Sequence, residues 1–382
     1  MKIYVNPKDF LSKFRLAASV AANLDVVPIL QNVKVTADET HGTILQATDN
    51  EIAIRLAVDC EVVKNGEALL PPKRLSQILD LTGEEMLTLE RTNGGLLIDG
   101  EVETYTLNTF LPDAFPDVED FGETAYHEIP AMVFREMIRR TIFATDAENL
   151  KFSLGGVCFS LNGDDVSVVA TDGIRLAWQQ GCGCSVNEHT VETAIVSVRT
   201  LQILDRILGD KSINDDDEVK MAVDVTVVGK RLTSGKVRFQ CKDVTLVSRL
   251  IEGKYPNWRG IIPKTKDETP AKIKCGVLLP AVLKAQVATS DDYSGVEFSF
   301  DKGRLTVQGQ GRETGIAKIE LPLTFDGENK RVVLSAKFMI GFLRVLRPDM
   351  KLSMFVPPDN EPVKITADND GYTYVIMPMN PA

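Results

Sequence analysis

Three successive stretches of the chain carry the same landmarks in the same order, and this internal repeat limits the fold more than any single motif does. Each stretch has a helical pattern, a Gly/Asn-Val step into a strand, an alternating strand pair, a second helix and then hairpins. In the first, residues 7–22 read as a helix with Phe10, Leu11, Phe14, Ala17, Ala18 and Ala21 on one face. Gln31-Asn32-Val33 follows, then Ala47-Thr48-Asp49 with Ile52, Ile54, Leu56 and Val58 alternating, and a helix over 72–81. The second stretch has a helix over 130–144, Gly155-Gly156-Val157, Ala170-Thr171-Asp172 and a helix over 198–208. The third has a helix over 280–289, Ser294-Gly295-Val296, a strand over 305–307 and a helix over 336–347. Thr48 to Thr171 is 123 positions and Val33 to Val157 is 124; Val157 to Val296 is 139 and Arg199 to Lys337 is 138. In the second helix of each stretch Leu75, Leu201 and Met339 align, as do Ile78, Leu204 and Phe342, an apolar pair at i and i+3. Lys73, Arg199 and Lys337 align just ahead of that face.

Between the helices, Asn93-Gly94, Asp99-Gly100, Gly163-Asp164 and Lys302-Gly303 are hairpin turns flanked by alternating apolar residues. Each unit therefore has two short helices and roughly eight strands by this pattern, an antiparallel α+β domain. The Pro-containing stretches 116–130 and 263–274 separate the units, which divides the chain into 1–122, 123–265 and 266–382.

Composition removes several classes. Mean hydropathy is −0.04, and no apolar run approaches the roughly 18–20 residues of a membrane span. The opening Met-Lys-Ile-Tyr-Val-Asn-Pro is not expected to be a signal peptide. The six cysteines include no C-x-x-C pair, and only Cys182-Gly-Cys184 is close, so a reduced cytoplasmic chain without a disulfide frame or zinc module is expected. His41, His127 and His189 are far apart in sequence, which disfavours His chemistry although they could still meet in space. Gly309-Gln310-Gly311-Arg312-Glu313-Thr314-Gly315 has the wrong spacing for a dinucleotide loop, and no helical pattern follows it. Ser234-Gly235-Lys236 lacks the upstream glycine of a phosphate loop, and Asp215-Asp216-Asp217-Glu218 reads as a solvated turn. No catalytic residue, cofactor or metal is assigned.

The net charge of −11 argues against a polyanionic partner only if charge is evenly spread. It is not. The six helical windows hold 14 basic residues: Lys8, Lys13, Arg15, Lys73, Arg74, Arg135, Arg139, Arg140, Arg199, Arg206, Lys284, Lys337, Arg344 and Arg347. They hold four acidic ones: Asp9, Asp80, Glu136 and Asp205. Helices facing one way and sheets the other would make one side basic and the other acidic.

Three motifs in order carry a family resemblance: Val169-Ala170-Thr171-Asp172-Gly173-Ile174-Arg175-Leu176-Ala177, Gly253-Lys254-Tyr255-Pro256-Asn257 and Tyr374-Val375-Ile376-Met377-Pro378-Met379. With Val27-Pro28-Ile29-Leu30 and Phe115-Pro116-Asp117 in the first unit, the whole chain resembles the bacterial DNA sliding clamps, the beta subunits of DNA polymerase III. The resemblance implies a non-catalytic processivity factor. Its three domains per chain would close as a head-to-tail homodimer into a six-domain ring, with helices lining a hole for duplex DNA of any sequence. Twelve helices about 9 Å apart enclose a circle about 34 Å across at their axes, leaving an opening of about 24 Å. A closed ring replaces affinity by topology, so mobile Lys and Arg contacts permit sliding. The DNA-facing candidates are Lys13, Arg15, Lys73, Arg74, Arg135, Arg139, Arg199, Arg206, Lys284, Lys337 and Arg344.

The resemblance also implies a hydrophobic pocket for short peptides of the polymerase catalytic subunit, the clamp loader and other proteins with a clamp-binding motif. Its lining would be Leu154, Thr171, Gly173, Ile174, Arg175, Leu176, Pro256, Ile261, Phe338, Pro362, Val375, Ile376, Met377, Pro378 and Met379. Methionine suits partners of varied sequence because it repacks easily. Thr-Asp-Gly on its own would be an ordinary hairpin turn. Ile174 stands where the family commonly has His, Leu24 where a basic residue often precedes the Pro-Ile-Leu element, and Asn380-Pro381-Ala382 extends past Met379. The alternative is a repeated protein-interaction scaffold without DNA binding, which would need no common basic face.

Overall fold

The computed structural model describes all residues except 23–26, 147–151, 229–230, 266–267, 291–292, 358–360, 368–369 and 381–382. Leu24 thus lies outside the described residues, as do Pro381 and Ala382. Among the described residues six α-helices come in pairs, α1 (Pro7–Ala18) with α2 (Pro72–Leu81), α3 (Ala131–Thr141) with α4 (Val198–Ile207), and α5 (Cys275–Gln286) with α6 (Ala336–Arg344). Polar caps start three of them. The Asn6 carboxamide accepts from the Lys8 and Asp9 amides, Ser197 Oγ from the Thr200 amide, and Ser335 Oγ from the Phe338 amide.

Several helix limits differ from the sequence reading. α1 stops at Ala18, α3 at Thr141 and α6 at Arg344, and α5 begins at Cys275 and ends at Gln286, with Pro280 inside it. Pro280 looked like a helix start, but its lost N–H bond is outweighed by burial of Cys275, Leu278, Ala281, Val282 and Ala285 on one face.

Four antiparallel sheets among the described residues back the helices, and two of them run across the repeats. Strand Val244–Arg249 pairs with Ile52–Val58, fusing strands of the first two repeats into a nine-stranded sheet. Strand Tyr372–Ile376 pairs with Arg175–Cys182, fusing the second and third into an eight-stranded sheet. The five-stranded sheet of the first repeat ends on strand Thr104–Leu107, and the four-stranded sheet of the third ends on strand Gly315–Pro322. One hydrophobic core runs through all three repeats between helices and sheets.

The helices follow the same continuity. α1 touches α4 of the next repeat, and Phe143, just beyond α3, packs against Gly341 of α6. The row is therefore α2, α1, α4, α3, α6, α5, one layer along the chain. Among the described residues no helix is long and apolar enough to cross a membrane.

Two of the distant histidines do meet. His127 and His189 are buried with their Nδ1 atoms 2.8 Å apart; His127 Nε2 lies 2.9 Å from the Gly163 carbonyl, and the Val223 amide donates to His189 Nε2. One neutral tautomer of each satisfies every contact, with His189 Nδ1–H donating to His127 and His127 Nε2–H to Gly163. Burial holds both imidazoles below the ordinary histidine pKa. The pair ties strands and a turn together and belongs to the fold. Cys182 and Cys184 end one strand and begin the next, and both are exposed.

Candidate functional site

The basic helical residues separate into three groups. Lys73, Arg74, Arg206, Lys284, Lys337 and Arg344 are exposed, and among the described residues they take part in no ion pair. A second group is already engaged. Arg15 meets Asp80 at 3.0 Å, Arg135 and Arg139 meet Asp205 at 2.9 and 3.9 Å, Arg199 pairs with Asp49, and Lys13 donates to the Ala57 carbonyl. Arg140 forms the third and corrects the charge count made from sequence, because it is 1% exposed and contributes nothing to a surface. It bonds Glu136 at 2.5 Å, Asp370 at 2.8 Å and Gln179 at 2.9 Å, and its guanidinium lies 5.4 Å from the Tyr372 ring centre. A buried guanidinium needs such partners, and two of its three polar ones come from outside its own helix.

The pocket candidates gather at the junction of the second and third repeats. Thr171-Asp172-Gly173 does form a turn. Asp172 accepts from the Ile174 and Arg175 amides, Thr171 Oγ1 donates to the Arg175 carbonyl at 2.6 Å, and Gly173 has φ +90°, which only glycine adopts without strain. That turn fixes Arg175, whose Nε is 2.8 Å from Asp172 and whose guanidinium lies 4.2 Å from the Phe338 ring centre and 5.5 Å from that of Phe143. The Tyr374 hydroxyl donates to the Phe338 carbonyl, and burial pushes its pKa up, so it stays a donor.

Thr171, Leu176 and Val375 are buried on one face of the eight-stranded sheet and form a floor, whereas Ile376, the next residue of the same strand, is buried on the opposite face in the helix-side core, so the structure does not bring it to the same floor. Leu176 and Val375 belong to a second apolar cluster with Cys158, Val169, Ile195, Tyr255 and Trp258 on the outer side of the eight-stranded sheet. Ile174, Ile261 and Met377 are 51%, 47% and 40% exposed, large apolar side chains left in water. Leu154, Pro256, Phe338, Pro362, Pro378 and Met379 are half-buried. The Met377 amide donates to the Ile174 carbonyl, joining the two segments, and pairing of Val363 with Ile376 sets Pro362 beside Met377. Leu154 sits in the short turn beside Gly253.

Sequence reasoning missed Asp172, Phe143 and Tyr374, which hold Arg175 in place. The i, i+3 spacing of Asp172 and Arg175 was the available signal; the two aromatics lie too far away in sequence to have been linked.

The first repeat builds the same turn from other side chains. Thr48 Oγ1 donates to the Ile52 carbonyl, Asp49 accepts from the Glu51 and Ile52 amides, and the Arg249 amide donates to the Glu51 carbonyl. Glu51 and Arg249 there replace Ile174 and Met377. The apolar surface is therefore specific to the second junction, while its backbone frame belongs to the repeat.

Models of the DNA polymerase III beta subunit N-terminal, central and C-terminal domains match residues 1–119, 128–257 and 259–380. The beta sliding clamp of Pseudomonas aeruginosa is 24% identical over 385 residues, covering 99% of this chain and 100% of that protein; that of Chlamydia muridarum is 22% identical over 382 residues, covering 99% of each. Crystal structures of the sliding clamp from P. aeruginosa and the DNA polymerase III beta subunit from Thermotoga maritima superpose with TM-scores of 0.86 and 0.84 at 24% and 20% identity, each pair over the full length of both chains. With three domain models of one family matched in chain order across nearly its whole length, the chain belongs to the DNA polymerase III beta subunit family, the bacterial sliding clamps, and is a processivity factor rather than an enzyme.

Proposed function

We propose that two copies of this chain close head to tail into a ring of six domains, 1–122, 123–265 and 266–382 from each, around duplex DNA. The observation that carries this is the pair of unmatched sheet edges. At both internal junctions the last strand of one repeat pairs with the strand after the Thr-Asp turn of the repeat before, Val244–Arg249 with Ile52–Val58 and Tyr372–Ile376 with Arg175–Cys182. The remaining members of this series are Thr104–Leu107 in the first repeat and Gly315–Pro322 in the third, both at sheet edges. An uncovered edge seeks a strand, and head-to-tail closure supplies each to the other.

The internal registers extend to this seam. Ile54 faces Leu246 and Ala177 faces Tyr374; the repeat counterparts are Ala317 and Tyr105, so Ala317 would face the partner's Tyr105. Helices follow suit. Ile207, on α4 beside α1, is 3% exposed, whereas its counterpart Leu81 on α2 is 85% exposed. Phe143 packs on α6, whereas its counterpart Val287 beyond α5 is 79% exposed. Covering Leu81 against the partner's α5 and Val287 against the partner's α2 completes the helix row.

On that ring Lys73, Arg74, Arg206, Lys337 and Arg344 present free cations to phosphates. Lys13, Arg15, Arg135, Arg139 and Arg199 add positive field tempered by their partners. Lys284 occupies the repeat position of Leu16 and Arg140, so it lies at the margin of the hole beside the seam. The exposed Ile174, Ile261 and Met377 above the Arg175 cluster receive apolar peptides of the polymerase catalytic subunit, the clamp loader and other clamp-binding proteins. Sedimentation tests the closure: a species near 84 kDa, twice 42.1 kDa, is expected. A monomer at micromolar concentration would contradict it.

A further inference from the structure

We propose that a groove at the start of α2 binds single-stranded DNA, with Phe110 as a stacking platform for an unpaired base and Lys73 and Arg74 as phosphate contacts. The assignment rests on the reading that this chain works on DNA, and adds a site for the unpaired strand.

The groove arises where the first repeat departs from the other two. After the last strand of the second repeat, the Ile251 amide donates to the Ile195 carbonyl at 2.8 Å; after that of the third, the Met379 amide donates to the Val333 carbonyl at 2.8 Å. The corresponding pair in the first repeat is Phe110 and Leu69. There the Leu69 carbonyl instead accepts from Thr109 Oγ1 at 2.6 Å, and the Phe110 side chain is left 53% exposed.

Asn32 explains the change. In the second repeat the Ile251 side chain occupies space above Gly156, where even an added Cβ would lie 2.8 Å from Ile251 Cδ1. Asn32 stands at the place of Gly156 in the first repeat, buried and bonded through its side-chain amide to the Pro28 carbonyl. The space is taken, so the residue that would fill it is turned outward. A groove of about 490 Å3 remains, lined by Ala18, Ala22, Lys73, Arg74, Asn108 and Phe110.

Its chemistry selects a ligand that is both anionic and aromatic. Lys73 and Arg74 lie in the first turn of α2, where positive charge opposes the helix dipole, and they have no acidic partner among the described residues. An exposed phenylalanine in one groove with two free cations matches the pattern of single-strand sites, aromatic faces for bases and Lys or Arg for the backbone. Duplex DNA offers no free base face to Phe110. The template ahead of a primer terminus, where a polymerase processivity factor works, does.

The test uses the full-length protein and a fluorescein-labelled oligothymidylate of twelve nucleotides, followed by anisotropy at low salt. Phe110→Ala should weaken binding about 5- to 100-fold. Phe110→Trp should preserve it and add a fluorescence quench on binding that the wild-type protein lacks. Arg74→Ala should flatten the salt dependence of the same titration. Retention of the wild-type protein on circular duplex DNA, measured in parallel, separates the two readings, since its failure would remove the DNA assignment as a whole. Unchanged oligothymidylate affinity in Phe110→Ala with normal duplex retention would overturn the groove alone. So would a fall in sedimenting mass, which would assign Phe110 to the protomer seam, or full competition by thymidine monophosphate at equal nucleotide concentration.

Discussion

Leu81→Ala probes the protomer seam with little effect on the fold of each protomer. Leu81 is 85% exposed in the single chain, whereas Ile207 at the same repeat position is 3% exposed, so ring closure should remove about four-fifths of the Leu81 side chain from water. Full burial of a leucine is worth about 1.5–3 kcal/mol, and truncating a buried one costs about 2–5 kcal/mol once the cavity is included. Taking about 1.5–3 kcal/mol per seam, and two identical seams per ring, the dimer should lose about 3–6 kcal/mol. At 1.4 kcal/mol per tenfold, the dissociation constant rises about 10²- to 10⁴-fold. Sedimentation velocity across a dilution series reads this directly, and thermal unfolding of the monomeric variant checks that the protomer is intact. Ile207→Ala is the internal comparison, since it should lower protomer stability by about 2–5 kcal/mol without a specific effect on assembly. A Leu81→Ala dissociation constant within threefold of wild type would refute the repeat-based placement of the seam.

Other outcomes follow from the same structure. Lys73→Glu combined with Lys337→Glu should abolish retention on circular DNA with dimer mass unchanged, and each single Lys→Ala change should flatten the salt slope by about one unit in binding measurements; full retention of the double variant would remove both lysines from the DNA-facing set. Arg199 is a poorer probe, because Glu at that position would confront Asp49. Removing residues 378–382 should eliminate capture of a fluorescent clamp-binding peptide while leaving dimer mass unchanged, and normal capture would remove the pocket assignment. Arg140→Ala should cost about 2 kcal/mol, less than the loss of a fully buried pair because Asp370 and Glu136 keep some water contact, as measured by denaturant unfolding. For His127 and His189, whose folded pKa values are depressed by burial, the unfolded chain binds more protons as pH falls through about 6.5, so stability should drop on acidification, by at most about 1.4 kcal/mol per pH unit for each histidine. Asp164 and Asp224 nearby reduce the effect, and a His127→Gln variant whose stability depends on pH as steeply as wild type would contradict the assignment.

What could be read from sequence was local or periodic. The limits of α2 follow from its proline start and apolar spacing, and the antiparallel α+β units follow from hairpin dipeptides and alternation. Pro280 misled because a proline marks a helix start only where burial does not extend the helix ahead of it. Arg140 looked like its surface neighbour Arg139, since one helical step separates a side chain in water from one inside the junction. Its partner Asp370 lies 230 positions away, and no local pattern encodes that meeting.

The same limit explains the sheets. Ile52–Val58 is legible as a strand from its alternation, but its pairing with Val244–Arg249 across nearly 200 residues is a property of how repeats stack. In the pocket, the exposed Ile174 and Met377 were reachable through resemblance, whereas the Arg175 stack on Phe338 required the third repeat to be in place. Phe110 was invisible as anything but a loop aromatic until the hydrogen bonds of the three repeats could be laid side by side.

A covalently closed ring tests the central claim most directly. With Cys182 and Cys184 replaced by Ser, Tyr105→Cys and Ala317→Cys should oxidise into two disulfides per dimer, because directly opposed antiparallel positions lie within disulfide reach. Closed on a nicked circular plasmid, such a ring should stay with the DNA through denaturation and leave once the plasmid is cut. Release from the circle under denaturing conditions, despite complete cross-linking between protomers, would contradict an encircling ring.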